Sequence, residues 1–159
     1  MADDESLLRR SITLAQAARD HGNQPFGSLL ASIDGAVLLE AENTVVTEAD
    51  VTGHAETNLV RLASRRYSAE ALAGMTLYAS TEPCAMCSGA IYWSGIGRVV
   101  YALAGDTLAD LIGSDPDNPA LRLPCREVFG RGQRKIEVRG PFPLPEAVAV
   151  HDGLSTRRS

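Results

Sequence analysis

Two short segments constrain this chain more than anything else in it: His54-Ala55-Glu56 and Pro83-Cys84-Ala85-Met86-Cys87. Each stands at the start of a stretch with helical spacing. In the first, over 54–66, Leu59, Leu62 and Ala63 share one side, while Arg61, Arg65 and Arg66 lie largely on the other. The second runs over 83–93 and is stopped by Gly95. Met75-Thr76-Leu77-Tyr78-Ala79-Ser80 leads into it and reads as a short buried strand.

The remaining elements fall around these two. Leu8, Ile12, Ala15 and Arg19 recur at helical spacing over 6–20, and Gly22 supplies a stop. Two apolar runs, 28–33 and 36–40, flank Asp34-Gly35, a strong hairpin signal. Residues 98–103 form a further strand, rich in β-branched and aromatic side chains. After them the spacing predicts a short helix over 107–112, a loop at 115–119 and an edge strand over 136–138. A final helix over 145–152 has Pro145 in its first turn. Helix, hairpin, then strands alternating with helices predicts a single three-layer α/β domain over 1–159. Its sheet is mixed, with the hairpin antiparallel and the later strands parallel.

Composition sets the class of partner. The chain has 159 residues, enough for a sizeable core, and a net charge of −5. Residues 1–60 hold three Arg against ten Asp and Glu, whereas 121–140 hold five Arg and one Lys against two Glu. A polyanion is met by a broad basic surface, and the pI of about 5.2 argues against one. The basic stretch reads as a solvated helix face. No apolar run reaches the ~18–20 residues that span a bilayer, and the acidic start is opposite in sign to a secretory signal. Three cysteines suggest no disulfide framework. A cytoplasmic protein is expected.

The chemistry lies in the two segments. Cys84 and Cys87 at a helix start place their sulfurs on one face, and the helix dipole favours thiolate. Catalytic zinc takes three protein ligands and keeps one position for water, whose pKa then falls to ~7. His54 completes such a trio, and Glu56 is placed to move protons beside it. Other readings stand beside this one. A structural zinc site would be closed by a fourth ligand, for which Cys125, His21 and His151 are available. Glu56 would then be a first-turn carboxylate favoured by the dipole. Thioredoxin-type use of the cysteines fits poorly with Pro83 and the His54/Glu56 pair. In a regular helix residues i and i+2 do not share a face, so spacing alone does not make His54 and Glu56 converge.

The two segments match the H-x-E…P-C-x-x-C signature of zinc nucleobase deaminases. Over about 6–100 the chain resembles the cytidine deaminase-like superfamily, on the branch holding guanine deaminases, tRNA adenosine deaminases and related nucleoside deaminases. The resemblance implies a central five-stranded sheet between helical layers. It implies one zinc ion held by His54, Cys84 and Cys87, with Glu56 as proton shuttle. Pro25-Phe26-Gly27 resembles the loop before the first strand, which puts Phe26 at the substrate. Asn43 stands where an asparagine hydrogen-bonds the base, although a turn residue would serve there too. Trp93 is a candidate ring for a purine pocket, with core packing as its ordinary role. Asp106 and Asp110 lie near a second carboxylate of guanine deaminases.

Ala90-Ile91-Tyr92-Trp93 resembles the guanine deaminase branch, and residues 141–159 depart from the basic tail of the tRNA branch. The expected substrate is therefore a small aminated base or nucleoside, a guanine-type purine first, deaminated with release of ammonia. A tRNA adenosine, a cytosine-type ring or a triazine, and a non-enzymatic zinc domain are the alternatives. Residues 141–159 are expected to form a lid, and the enzyme a homodimer.

Overall fold

The computed structural model describes residues 3–113, 115–117 and 119–153. Residues 154–159 of the expected lid, Asn118 of the expected loop, and positions 1–2 and 154–159 of the expected domain lie outside them. Helix α1 (Asp4–Asp20) starts before the expected residue 6 because the Asp3 carboxylate caps it, accepting from Ser6 N at 2.8 Å. Its inward stripe is Leu7, Leu8, Ser11, Ile12, Ala15 and Ala18. The hairpin forms as expected, β1 (Gly27–Ala31) against β2 (Val37–Glu42), antiparallel. Then follow α2 (Val45–Glu48), α3 (Ala55–Arg66), α4 (Ala69–Leu72), β3 (Thr76–Thr81) and α5 (Ala85–Ser94). The chain ends with β4 (Arg98–Leu103), α6 (Gly105–Ile112), α7 (Cys125–Gly130), β5 (Glu137–Arg139) and α8 (Pro145–Ala149). The short helices α2, α4 and α7 carry too few turns to show a period. Helix α8 ends at 149 rather than 152, the chain continuing as a turn.

The five strands run in the order β2-β1-β3-β4-β5. β3 pairs antiparallel with β1 and parallel with β4, and β4 pairs parallel with β5. Alternate residues of the central strands enter two separate cores, as the two-residue strand period requires. Leu30, Leu77, Ala79, Val99 and Tyr101 pack with Leu59, Ile91 and Phe129 from α3, α5 and α7. Leu29, Ala31, Tyr78, Val100 and Ala102 pack with Leu8, Ile12 and Ala147 from α1 and α8. The result is the expected three-layer α/β/α arrangement, with β1 and β3 buried along their whole length. Among the described residues no helix is long and apolar enough to cross a membrane.

Candidate metal centre and cavity

Two helices begin at the residues that the sequence singled out. His54 is the N-cap of α3 and Cys84 the N-cap of α5. Both have extended backbone, and neither side chain makes a capping hydrogen bond, so both are available to something else. This geometry removes the i, i+2 difficulty: His54 precedes the helix, and only Glu56 lies inside it. Pro83 likewise stands ahead of the N-cap rather than in the first turn. It joins the end of β3 to α5, at the carboxyl end of the parallel strands where open α/β sheets place ligands.

His54 Nδ1 lies 3.4 Å from Cys84 Sγ and 3.6 Å from Cys87 Sγ, and the three donor atoms fall within 4.8 Å of one another. A tetrahedral zinc with Zn–S near 2.3 Å and Zn–N near 2.0 Å has N···S edges of about 3.5 Å. The donors fit the ion in kind and in spacing. The hydrogen bond from Cys87, with help from His54, holds Cys84 down to about 4, while Cys87 is pushed up by donating to Cys84 and by burial. The Cys84 hydrogen bond raises His54. Among the described residues no fourth His, Cys, Asp or Glu joins the group. His21 instead pairs with Glu42 at 2.7 Å on the surface, and Cys125, the first residue of α7, is buried in the core. His151, the third candidate for a fourth ligand, lines the neighbouring cavity but is not part of the donor group.

Glu56 is buried at 6% exposure. Burial, then the Cys84 charge, raises it to about 7 against the opposing effects of His54 and a Cys87 hydrogen bond. Several groups without a sequence motif of their own hold the centre. Thr57 Oγ1 contacts Cys87 Sγ at 3.2 Å. Ser28 Oγ donates to Ala55 O at 2.9 Å, fixing the start of α3 on β1. Asn58 Nδ2 donates to Glu42 O, Thr44 Oγ1 and Gly53 O, tying α3 to the segment that carries His54. Glu82 accepts from Gly105 N at 2.9 Å and Cys125 N at 2.8 Å. None of these has a periodic signature, and sequence reasoning misses them. Glu82 offers one clue, a carboxylate beside the Pro83-Cys84 segment.

His54, Glu56 and Cys84 line a cavity of about 590 Å³, a size typical of small-molecule sites. Asn23 to Phe26 form one wall, and α6 with residues 119–124 another. Phe26 is therefore at the cavity. Asn43 is not a lining residue; its Oδ1 accepts from Val45 N at 3.0 Å, the turn role, while its buried Nδ2 has no partner among the described residues. Trp93 is neither in the cavity nor in the core: it is 83% exposed on α5. Asp106 lines the rim, Asp110 does not, and both engage Arg122, at 3.3 and 2.8 Å. From the C-terminal segment, His151 reaches the cavity.

The basic stretch is largely consumed inside the fold rather than solvated. Arg126 donates to Tyr101 Oη and to Val138 and Gly140 carbonyls, Arg134 to carbonyls at the end of α5, and Arg139 to Asp4. With Arg122 held by Asp106 and Asp110, four of its five arginines have internal partners.

Residues 1–103 match the family described as the cytidine and deoxycytidylate deaminase zinc-binding region. A probable cytosine deaminase of Schizosaccharomyces pombe is 41% identical over 151 residues, 95% of this chain and 91% of that one. The guanine deaminase of Bacillus subtilis is 42% identical over 99 residues, 62% of this chain and 63% of that one. A solved structure of protein NE0047 with 8-azaguanine superimposes with a TM-score of 0.80 at 28% identity, covering 98% of this chain and 86% of that one. tRNA-specific adenosine deaminases also match.

Proposed function

This chain belongs to the cytidine and deoxycytidylate deaminase zinc-binding family, a zinc-dependent hydrolase of C–N bonds in cyclic amidines, and we propose that its substrate is a small aminated nucleobase, a guanine-type purine first. The observation that carries the reading is the burial of Glu56 beside a His54/Cys84/Cys87 donor set at the wall of one cavity. We assign His54, Cys84 and Cys87 as the zinc ligands, Glu56 as the catalytic residue and Phe26 as a ring contact. The reaction adds water across the amidine carbon and expels ammonia, leaving a carbonyl. Bound zinc supplies the Lewis acidity that makes water a nucleophile near neutral pH. Glu56 does the proton work, accepting a proton from the attacking water, delivering it to the ring nitrogen and carrying another to the departing amine. Burial raises this carboxyl above its ordinary value, which favours its taking up the proton of the attacking water.

The resemblance to guanine deaminase and to the 8-azaguanine-bound structure supports a purine; the longer match to the S. pombe protein keeps cytosine as the second reading. The internal pairing of Arg122, Arg126, Arg134 and Arg139 leaves little basic surface for tRNA. Three free cysteines suit the reducing cytoplasm. A second copy of the chain is proposed to cover Met86 and Trp93, seven apart on one stripe of α5 and 36% and 83% exposed. Ammonia release from guanine, guanosine, adenine, adenosine, cytosine, cytidine and aminated triazines tests the substrate. Glu56→Ala run beside it, with zinc measured on both, tests the mechanism: zinc stays and turnover goes. Turnover surviving in Glu56→Ala would end the assignment, and a tRNA shift at low salt would reopen the RNA reading.

A further inference from the structure

His151 belongs to the turn after α8, far along the chain from both motif segments, yet it lines the same cavity as His54, Glu56 and Cys84. It is 8% exposed, and its Nε2 is buried without a hydrogen-bond partner among the described residues. An unpaired buried nitrogen carries a desolvation penalty that an apolar side chain of similar shape avoids. The cost is removed if the partner arrives with a ligand.

The ring is also held in place before anything binds. It lies tilted at 60° against Phe26, centroids 5.4 Å apart. Its backbone N donates to Val148 O at 3.0 Å, and Arg19 Nη1 donates to the carbonyl of the preceding Val150 at 2.8 Å. Little freedom is left to lose on binding. Burial and the Arg19 charge, opposed by Asp152, lower the imidazole to about 4, so at neutral pH it is uncharged. A neutral imidazole nitrogen donates or accepts one hydrogen bond, which suits the edge of an uncharged heterocycle rather than an anion. Thr81 Oγ1, at 5% exposure, is a second buried and unpaired group on a lining residue.

We propose that His151 is a specificity-determining residue, hydrogen-bonding through Nε2 to the ring edge of the base in the cavity. The identity of that occupant rests on the deaminase reading above.

Two variants separate hydrogen bonding from packing. His151→Phe keeps a ring against Phe26 and removes both nitrogens; His151→Gln restores a polar group near Nε2. Calorimetric binding of 8-azaguanine, guanine and cytosine to the zinc-loaded proteins, parent and His151 variants alike carrying Glu56→Ala so that no base is consumed, provides a readout independent of turnover. The same titrations use deazaguanines, hypoxanthine and 2-aminopurine, each altering the edge of guanine at a different place. His151→Phe is expected to weaken the tightest base by about tenfold or more, with zinc content and melting temperature held, and His151→Gln to recover most of it. One analogue that binds the parent protein poorly should bind His151→Phe no worse, the two losses failing to add. Unchanged binding in His151→Phe overturns the proposal, as does an equal loss for every base and analogue, or a parent protein that binds none of them. Binding without turnover in the protein that keeps Glu56 refutes the deaminase reading, and the coupling test of His151 is then decided on binding alone.

Discussion

Replacing Glu82 by glutamine tests how the walls of the cavity are held. One carboxylate oxygen accepts the N–H of Gly105, which opens α6, and the other accepts the N–H of Cys125, which opens α7, at 2.9 and 2.8 Å. Both bonds are charge-assisted and point at helix starts, where a negative charge is favoured. Hydrogen bonds to a charged group contribute ~1.5–3 kcal/mol each. Glutamine keeps one acceptor but turns an amide N–H toward the other backbone N–H, so one bond is lost and two donors oppose. The expected loss of stability is ~2–4 kcal/mol, which for a chain of this size lowers the melting temperature by roughly 5–15 °C. Because α6 and residues 119–124 line the cavity, KM should rise several-fold. The change in kcat should be small, since Glu56 and the donor set are untouched. Urea unfolding and steady-state kinetics on the best base read both quantities. A glutamine variant with the parent's midpoint and KM would refute the clamp, and a fall in kcat at constant KM would show that Glu82 acts on the chemistry instead.

Gly27→Ala should prevent α1 from seating on β1, because an added Cβ would lie 2.3 Å from Ser11 O and 2.5 Å from Ala15 N; a loss of about 3 kcal/mol or more in urea unfolding is expected. Burial raises the Asp4 carboxyl, but hydrogen bonds from Tyr78 and Arg98 and the charges of Arg98 and Arg139 outweigh it and leave it lowered. A lowered folded pKa gives stability that is present above the unfolded value of ~3.9 and lost as pH falls through the folded one. Asp4→Asn should therefore cost about 1–2 kcal/mol at pH 7, with the gap closing below pH ~4, as unfolding at pH 7, 5 and 3 will show. Free zinc at about a hundred times its dissociation constant should stabilise the metal-free protein by ~2.7 kcal/mol, or roughly 5–10 °C in a thermal melt. Cys84→Ser should abolish most of that shift, and an equal shift in the variant would exclude Cys84 as a ligand.

Much of this protein is written in short stretches of its chain. Asp34-Gly35 announces the hairpin, the apolar runs at 75–80 and 98–103 the central strands, and Gly95, at φ +99°, the end of α5. These signals are local, since turn chemistry and side-chain period act over a few residues. The three-layer order follows from them, and the motif residues are legible because the spacing within each segment is itself local. What the linear chain does not decide is everything that depends on a meeting of distant segments. His54 and Glu56 act together because His54 is an extended N-cap, a consequence of how α3 is tied to the hairpin by Ser28 and Asn58. Trp93 is a plausible pocket ring by its place in the sequence, but the register of α5 on the sheet buries Cys87, Ser88, Ile91 and Ser94 and turns Trp93 outward. Glu82 and His151 have no spacing that assigns them these roles; they enter the site because β3 ends, α6 and α7 begin, and the turn after α8 passes, at the same edge of one sheet. Local chemistry fixes which groups a chain carries, while long-range packing fixes which of them share a cavity.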